Sequence, residues 1–258
     1  MFTSNPFAEL SASISPAVMQ IYVVVMIVLV AAGTLFDIVH KGSAKYFFDN
    51  WRNSQRKGTQ QVGLASIAIQ TAVVDVLASG EFCNARRRIA HLLTMYGFVL
   101  HVIATVVMVF RYATPATPGP DVWPVLWWIG GLMILVGGYW FWFFIRVDVA
   151  AEGSSPFRLM RADLFVLSLL ASVTLGLIWA YAQTRGSSWT HAWFTLYVIA
   201  TTVLFGSVPW SKFAHMFFKP AAAFEKRVSY ANGTRSNLPA AADKPEQFGS
   251  ARTAPRHY

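Results

Sequence analysis

Apolar residues in this chain run in long, nearly unbroken blocks separated by short polar stretches, unlike the one-sided periodicity of a helix on a soluble domain. Five blocks are long enough to cross a bilayer core about 30 Å thick, which takes roughly 20 apolar residues at a rise of about 1.5 Å each. They cover about Val18 to Val39, Ile89 to Phe110, Val122 to Ile145, Leu164 to Ala182 and His191 to Val208. The pattern predicts an all-α fold, an integral membrane bundle of five transmembrane helices. A weaker block, VGLASIAIQTAVVDVLASG, lies within residues 40–88. Letting it cross would carry Arg86, Arg87 and Arg88 with it, so it reads as an interfacial or re-entrant helix. Val62, Ile69, Val73 and Val76 form its apolar face, with Gln60, Gln61, Gln70 and Asp75 more polar.

The membrane domain then occupies residues 18–228, with an outer N-terminal segment 1–17 and a cytoplasmic loop 40–88. Residues 229–258 lose apolar periodicity and are predicted to be a disordered cytoplasmic tail. The stretch YATPATPGP, residues 112–120, is punctuated as a short outer loop, with Trp123, Trp127 and Trp128 following as interfacial anchors. The fifth span meets Pro209, where it is expected to kink and continue to the cytoplasmic boundary.

Composition agrees with this class. Over 258 residues the chain is 55% hydrophobic and only 13% charged, with a mean hydropathy of +0.44. The charge distribution adds an orientation. Eight Lys and Arg lie between spans one and two, three between spans three and four, and eight after span five, whereas only Arg111 and Arg185 lie on the other side. An excess of basic residues marks the cytoplasmic side, so the N-terminus is expected outside and the C-terminus in the cytoplasm, in a multi-pass protein of the cell inner membrane. Glu9 is the only charged side chain before the first span, which therefore lacks a basic leader region and is expected to be retained. The net charge of +9 sits beside the spans, where topology and anionic membrane lipid account for it and nucleic acid does not. A single Cys83 excludes an internal disulfide or a four-cysteine iron–sulfur cluster, so any such cluster belongs to a partner. The sequence carries no Gly-rich phosphate loop, zinc-protease helix or nucleophile triad.

The chemistry rests on histidine. His91 and His101 lie ten residues apart in one apolar block, RRRIAHLLTMYGFVLHVIATVVMVF, and an imidazole in hydrocarbon is costly. Their spacing is roughly 15 Å along a helix, which allows one haem near each side of the membrane. Equally, His91 reads as an interface marker beside three arginines, and His101 as a hydrogen-bond partner of a neighbouring span. His215 lies at the cytoplasmic end of span five, at the depth of His91, so the two can share one metal. His40, beside Asp37 and Lys41, is the rival ligand at that depth or a member of a local ion-pair cluster. His257 lies in the tail.

Taken together, VVDVL, EFCNARRRIAHLLTMYGF and SVPWSKFAHMFFKPAAAF resemble the b-type membrane cytochromes of the nitrate reductase gamma subunit and quinone-interacting oxidoreductase type. The chain is most similar to the membrane anchor associated with adenylylsulfate reductase, over roughly residues 18 to 225. The resemblance implies two bis-histidine haems stacked across the bilayer, with His91 and His215 holding the one on the cytoplasmic side. It places the fifth-span ligand of the second haem about eighteen residues before His215, where this chain has Tyr197. His191, six residues earlier, is the nearest substitute for pairing with His101, and its distance along the helix favours one haem b over two.

The expected function is a membrane anchor and electron-transfer subunit linking the quinone pool to a cytoplasmic iron–sulfur flavoprotein complex, which the resemblance implies is adenylylsulfate reductase. Arg86, Arg87 and Arg88 are expected to meet haem propionates or an acidic partner surface, or to serve topology alone. His101, Arg111, Asp121 and His191 are candidate groups for quinone. The competing expectation is a haem-free structural anchor that docks the soluble enzyme. A transporter is disfavoured, since the spans lack a central carboxylate pair and repeated interrupted helices.

Overall fold

The computed structural model describes residues 2–40, 45, 47–52, 63–80, 82, 84–147, 153, 155–210 and 215–234, and among these every regular element is helical. The chain divides into two compact units, residues 1–36 with 89–214, and residues 37–88 with 215–258.

The first unit opens with α1 (Pro6–Leu10), a single turn whose start is set by Asn5. The Asn5 Oδ1 accepts the backbone N–H groups of Phe7 and Ala8, and Pro6 occupies the first helical position, where a missing N–H costs nothing. There follow α2 (Pro16–His40), which leaves this unit after Phe36, and α4 (Ala85–Arg111), which joins it at Ile89. Next come α5 (Val122–Trp140), extended by a π-helical turn Phe141–Ile145, then α6 (Leu164–Thr184) and α7 (Thr190–Gly206). Four of these have the length and apolarity of membrane spans: α2, α4, α5 with its π turn, and α6, at 25, 27, 24 and 21 residues. The α7 helix is apolar but shorter, with 17 residues.

The expected kinked continuation through Pro209 is replaced by a break. The α7 helix ends at Gly206, and Val208–Trp210 forms a 3₁₀ turn. Pro209 has no N–H to give to an i−4 carbonyl and disfavours helical geometry at the residue before it, while Gly206 weakens the preceding turn. Val208 is fully buried against Gly33 of α2, where an added Cβ on the glycine would lie 3.0 Å from the Val208 Cβ.

The helices of this unit close into a ring in chain order. Gln20 of α2 donates to the Val109 carbonyl of α4 at 3.2 Å. Glycines then bring α4 and α5 into backbone contact: a Cβ on Gly97 would lie 2.7 Å from the Gly130 oxygen, and one on Gly137 2.6 Å from the Ala90 oxygen. Tyr139 of α5 bonds Thr174 of α6 at 2.9 Å, and Ser172 of α6 bonds Thr201 of α7 at 2.7 Å. The ring closes where the Tyr22 hydroxyl of α2 meets the Val198 carbonyl and the Thr202 hydroxyl of α7. Between α5 and α6, Arg146 organises the connection. Its guanidinium donates to the Ser155 and Arg158 carbonyls and to the Asp163 carboxylate at 2.6 Å, and it lies over the Trp142 ring at 4.2 Å.

The second unit holds helical residues 47–52, α3 (Leu64–Gln70, continuing as a π-helical stretch Thr71–Leu77), the first residues of α4, and α8 (His215–Ala231). Asn84 caps α4, accepting from the backbone N–H groups of Arg86 and Arg87. Arg227 of α8 clamps Asp75 through two hydrogen bonds, at 2.5 and 2.8 Å, and Phe224 stacks on Trp51. Of the expected apolar face, Ile69 and Val73 are exposed, Val76 is half-buried, and Val62 lies outside the described residues. Ile67, Thr71 and Ser79 are the buried positions of that stretch. The disorder expected from residue 229 does not hold at the start of that segment. The α8 helix runs to Ala231, with Ser229 buried and hydrogen-bonded to Glu225, and Asn232 and Thr234 close the turn beyond it. Val228 on the same helix is buried and gives this end an anchor. Residues 235–258 lie outside the described residues.

Candidate functional site

His101 is the best-defined of the sequence-predicted site residues. The crossing at Gly97 and Gly130 brings its imidazole directly onto α5, where Nδ1 lies 2.9 Å from the Trp127 carbonyl and the ring stacks on the Trp127 indole at 4.6 Å. A carbonyl only accepts, so the proton resides on Nδ1 and the lone pair on Nε2. This is the tautomer that metal-ligating histidines adopt when a backbone carbonyl orients them. A second bridge locks the arrangement, since the Trp127 indole N–H donates to the Thr105 hydroxyl at 3.0 Å and that hydroxyl donates to the His101 carbonyl at 2.8 Å. The expected hydrogen bond from His101 to a neighbouring span is therefore present.

Aromatic side chains fill the bundle around this histidine. Phe7 of α1 packs between two fully buried indoles, with its centroid 6.1 Å from Trp127 and 5.4 Å from Trp179. Trp179 in turn stacks on Tyr197 at 5.7 Å with the planes 10° apart, and the Tyr197 ring rests on Gly176, whose missing side chain makes the room. Tyr197, the position where the resemblance requires a ligand, thus belongs to one run of touching rings with His101: imidazole, Trp127, Phe7, Trp179, phenol. The donor chemistry of His101 fits an axial ligand. The remainder of the layer does not fit a second haem, because indole and phenyl rings fill the space and α7 offers a phenol already packed against Trp179.

The other candidates lie on different elements. His191 is exposed near the start of α7, its Nε2 3.2 Å from the Ser13 hydroxyl, and it does not enter the aromatic layer. His91 is half-buried on α4 in the first unit. His215 is the first residue of α8 and His40 the exposed last residue of α2, both in the second unit. The pairing of His91 with His215 thus stays an expectation of the sequence. Arg111 ends α4 and Asp121 precedes α5. Asp121 lines a cavity of about 220 Å³ together with Asn5, Glu9, Met108 and Tyr112.

Sequence reasoning missed α1 and its Phe7, although Asn5-Pro6 carries a capping signal, and it took Trp127 for an interfacial anchor where it is a fully buried core residue. The paired glycines at 130–131 and 137–138, seven residues apart, were a readable sign of close helix packing.

No protein-family model matches the chain, and no solved structure matches it. Citrate utilization protein B of Escherichia coli is similar to it, 28% identical over 203 residues that make up 73% of this chain and 52% of that protein. The chain spans about half the length of the curated relative it matches.

Proposed function

We propose that this protein is a membrane anchor and electron-transfer subunit, a b-type cytochrome that links the quinone pool to a soluble iron–sulfur flavoprotein. The observation that carries this reading is the imidazole pair on α4. His101 is buried and held as the Nδ1–H tautomer, ten residues beyond His91, on a helix with the length of a membrane span. An intramembrane imidazole is expensive unless it serves a site. His91 and His215 would hold one haem b, with His40 as the rival ligand, and bound haem would supply one-electron transfer. His101 then tethers α4 to α5 and keeps the adjoining layer dry. Arg86, Arg87 and Arg88 offer guanidinium groups to carboxylates, on the haem or on an acidic partner.

The same proposal includes five spans, with α7 as the fifth, the N-terminus outside and the C-terminus cytoplasmic, and α3 lying in the membrane interface. Hydrogen bonds from α7 to both α2 and α6 support its membership of the spanning bundle. For the partner, the resemblance in the sequence favours adenylylsulfate reductase. The similarity to a citrate utilization protein makes an enzyme of carboxylate metabolism the rival, and mass spectrometry of the co-purified complex distinguishes them.

The test is a visible spectrum of the purified full chain reduced with dithionite. A b-type alpha band is expected, lost in His91→Ala and in His215→Ala and retained in His101→Ala. A folded wild-type protein without the band overturns the reading. The Tyr197–Trp179 stack favours one alternative, a haem-free anchor that only docks the soluble enzyme. Capture of the partner that survives both His91→Ala and His215→Ala, from a wild type that lacks haem, is its signature.

A further inference from the structure

We infer that the second unit carries a binding site for anionic phospholipid, formed at the C-terminal end of α3 and its π-helical extension, where α8 is clamped to it. The site rests on the interfacial placement of α3 proposed above.

Two properties of this unit point to the same ligand. The first is an apolar face. Ile69, Val73 and Leu77 are exposed, Ile69 by 66%, while the opposite side of the stretch, through Ile67, Thr71 and Asp75, is buried or engaged by α8. Each exposed apolar side chain costs free energy in water that acyl chains remove. The second is a collection of cations at one end of that face. Arg88 donates through Nε to the Ala78 carbonyl at 2.7 Å, just past the end of the π-helical stretch. The Arg87 guanidinium and the Lys219 ammonium each lie 5.9 Å from the Phe82 ring centroid, and Arg227 reaches Asp75. Arg86 and Lys226 are exposed on the same two helices.

The acidic groups of these segments are Asp75, Glu81 and Glu225, against Arg86, Arg87, Arg88, Lys219, Lys226 and Arg227, so the balance is positive. Asp75 is already engaged by Arg227, and Glu225 accepts the Ser229 hydroxyl. An acidic soluble protein or free phosphate would satisfy the cations and leave the apolar face in water. A phospholipid with a net negative headgroup satisfies both at once. The unit also takes in the last residues of α2 and the first of α4, both helices with the length of membrane spans.

The experiment uses the full chain with Cys83→Ser and Val73→Cys, labelled with bimane and reconstituted in vesicles of phosphatidylcholine and phosphatidylglycerol. Bromine is carried on the acyl chains of one lipid at a time. Brominated phosphatidylglycerol is expected to quench several-fold more strongly than brominated phosphatidylcholine at equal mole fraction. Arg86→Gln with Lys219→Gln is expected to lower that preference by about fivefold per charge removed, while quenching by acyl-chain bromine persists. Quenching by aqueous iodide in place of bromolipid overturns the interfacial placement and the site with it. Equal quenching by the two bromolipids in the unmodified background overturns the site alone. Loss of the preference on adding inorganic phosphate at constant ionic strength also overturns the lipid assignment. If the double variant fails to fold, judged by thermal unfolding, the comparison of the two lipids in the unmodified background still decides.

Discussion

At Gly97 a single hydrogen in place of a methyl group sets the distance between two helices, because an added Cβ would lie 2.7 Å from the Gly130 carbonyl oxygen, 2.8 Å from the Met133 Cβ and 2.9 Å from the Ile134 nitrogen of α5. Backbone cannot move aside as the end of a side chain can, so Gly97→Ala must separate α4 from α5. We expect a loss of about 1–3 kcal/mol, read as a lower midpoint of thermal unfolding in detergent. The same separation would lengthen the bond from His101 to Trp127. Arg146 supplies a second residue-scale prediction. It is almost wholly buried and bonded to Asp163, so Arg146→Met leaves a carboxylate without its cation and should cost about 3–5 kcal/mol, whereas Arg146→Met with Asp163→Asn should recover part of the loss. Unfolding of the two variants measured side by side checks this. The role of Arg146 was hidden in the sequence, where it counts only as one basic residue of an inner turn. Its partners are backbone carbonyls nine and twelve residues away, and no local periodicity encodes them.

The elements most legible in the sequence were those that lipid solvation forces. Apolar runs of twenty or more residues can satisfy their backbone only as helices, and α2, α4, α5 and α6 lie where those runs predict. What escaped was set by contacts between elements. The single turn α1 has too few residues to be stable alone and exists through Phe7 between two indoles and through the Asn5 bond to the Tyr112 carbonyl at 2.7 Å. Phe7→Ala should therefore release it, at about 3–5 kcal/mol for the buried ring. Protease cleavage within residues 5–15 of the reconstituted protein, slow in the wild type and fast in the variant, measures that release. The end of α7 was misread for the opposite reason. Pro209 was weighed as a kink within one helix, but Gly206 weakens the turn just before it and Val208 packs on Gly33, so a 3₁₀ turn is the better solution.

For the whole molecule, topology is the property to measure. Reporter fusions after residues 115 and 187 should be active on the outer side, and fusions after residues 57 and 150 on the inner side. Haem content belongs to the same scale. If the proposed haem is bound, the aromatic run from His101 to Tyr197 leaves no room for a second, so about one haem per chain is expected where the resemblance in the sequence implies two, and a ratio near two by pyridine haemochrome assay would refute it. The sequence flagged this divergence through Tyr197 alone, since a missing ligand is visible in one residue. The filling of the layer was not visible, because Phe7, Trp127 and Trp179 come from three helices and meet only in the folded bundle. The shortness of α7 reaches beyond the protein. Its 17 residues rise about 25 Å, less than the roughly 30 Å that its neighbours bridge with ease. As the fifth span it would draw the two leaflets together along one side, a thinning that selects shorter acyl chains there and gives a second thin-edged copy reason to gather.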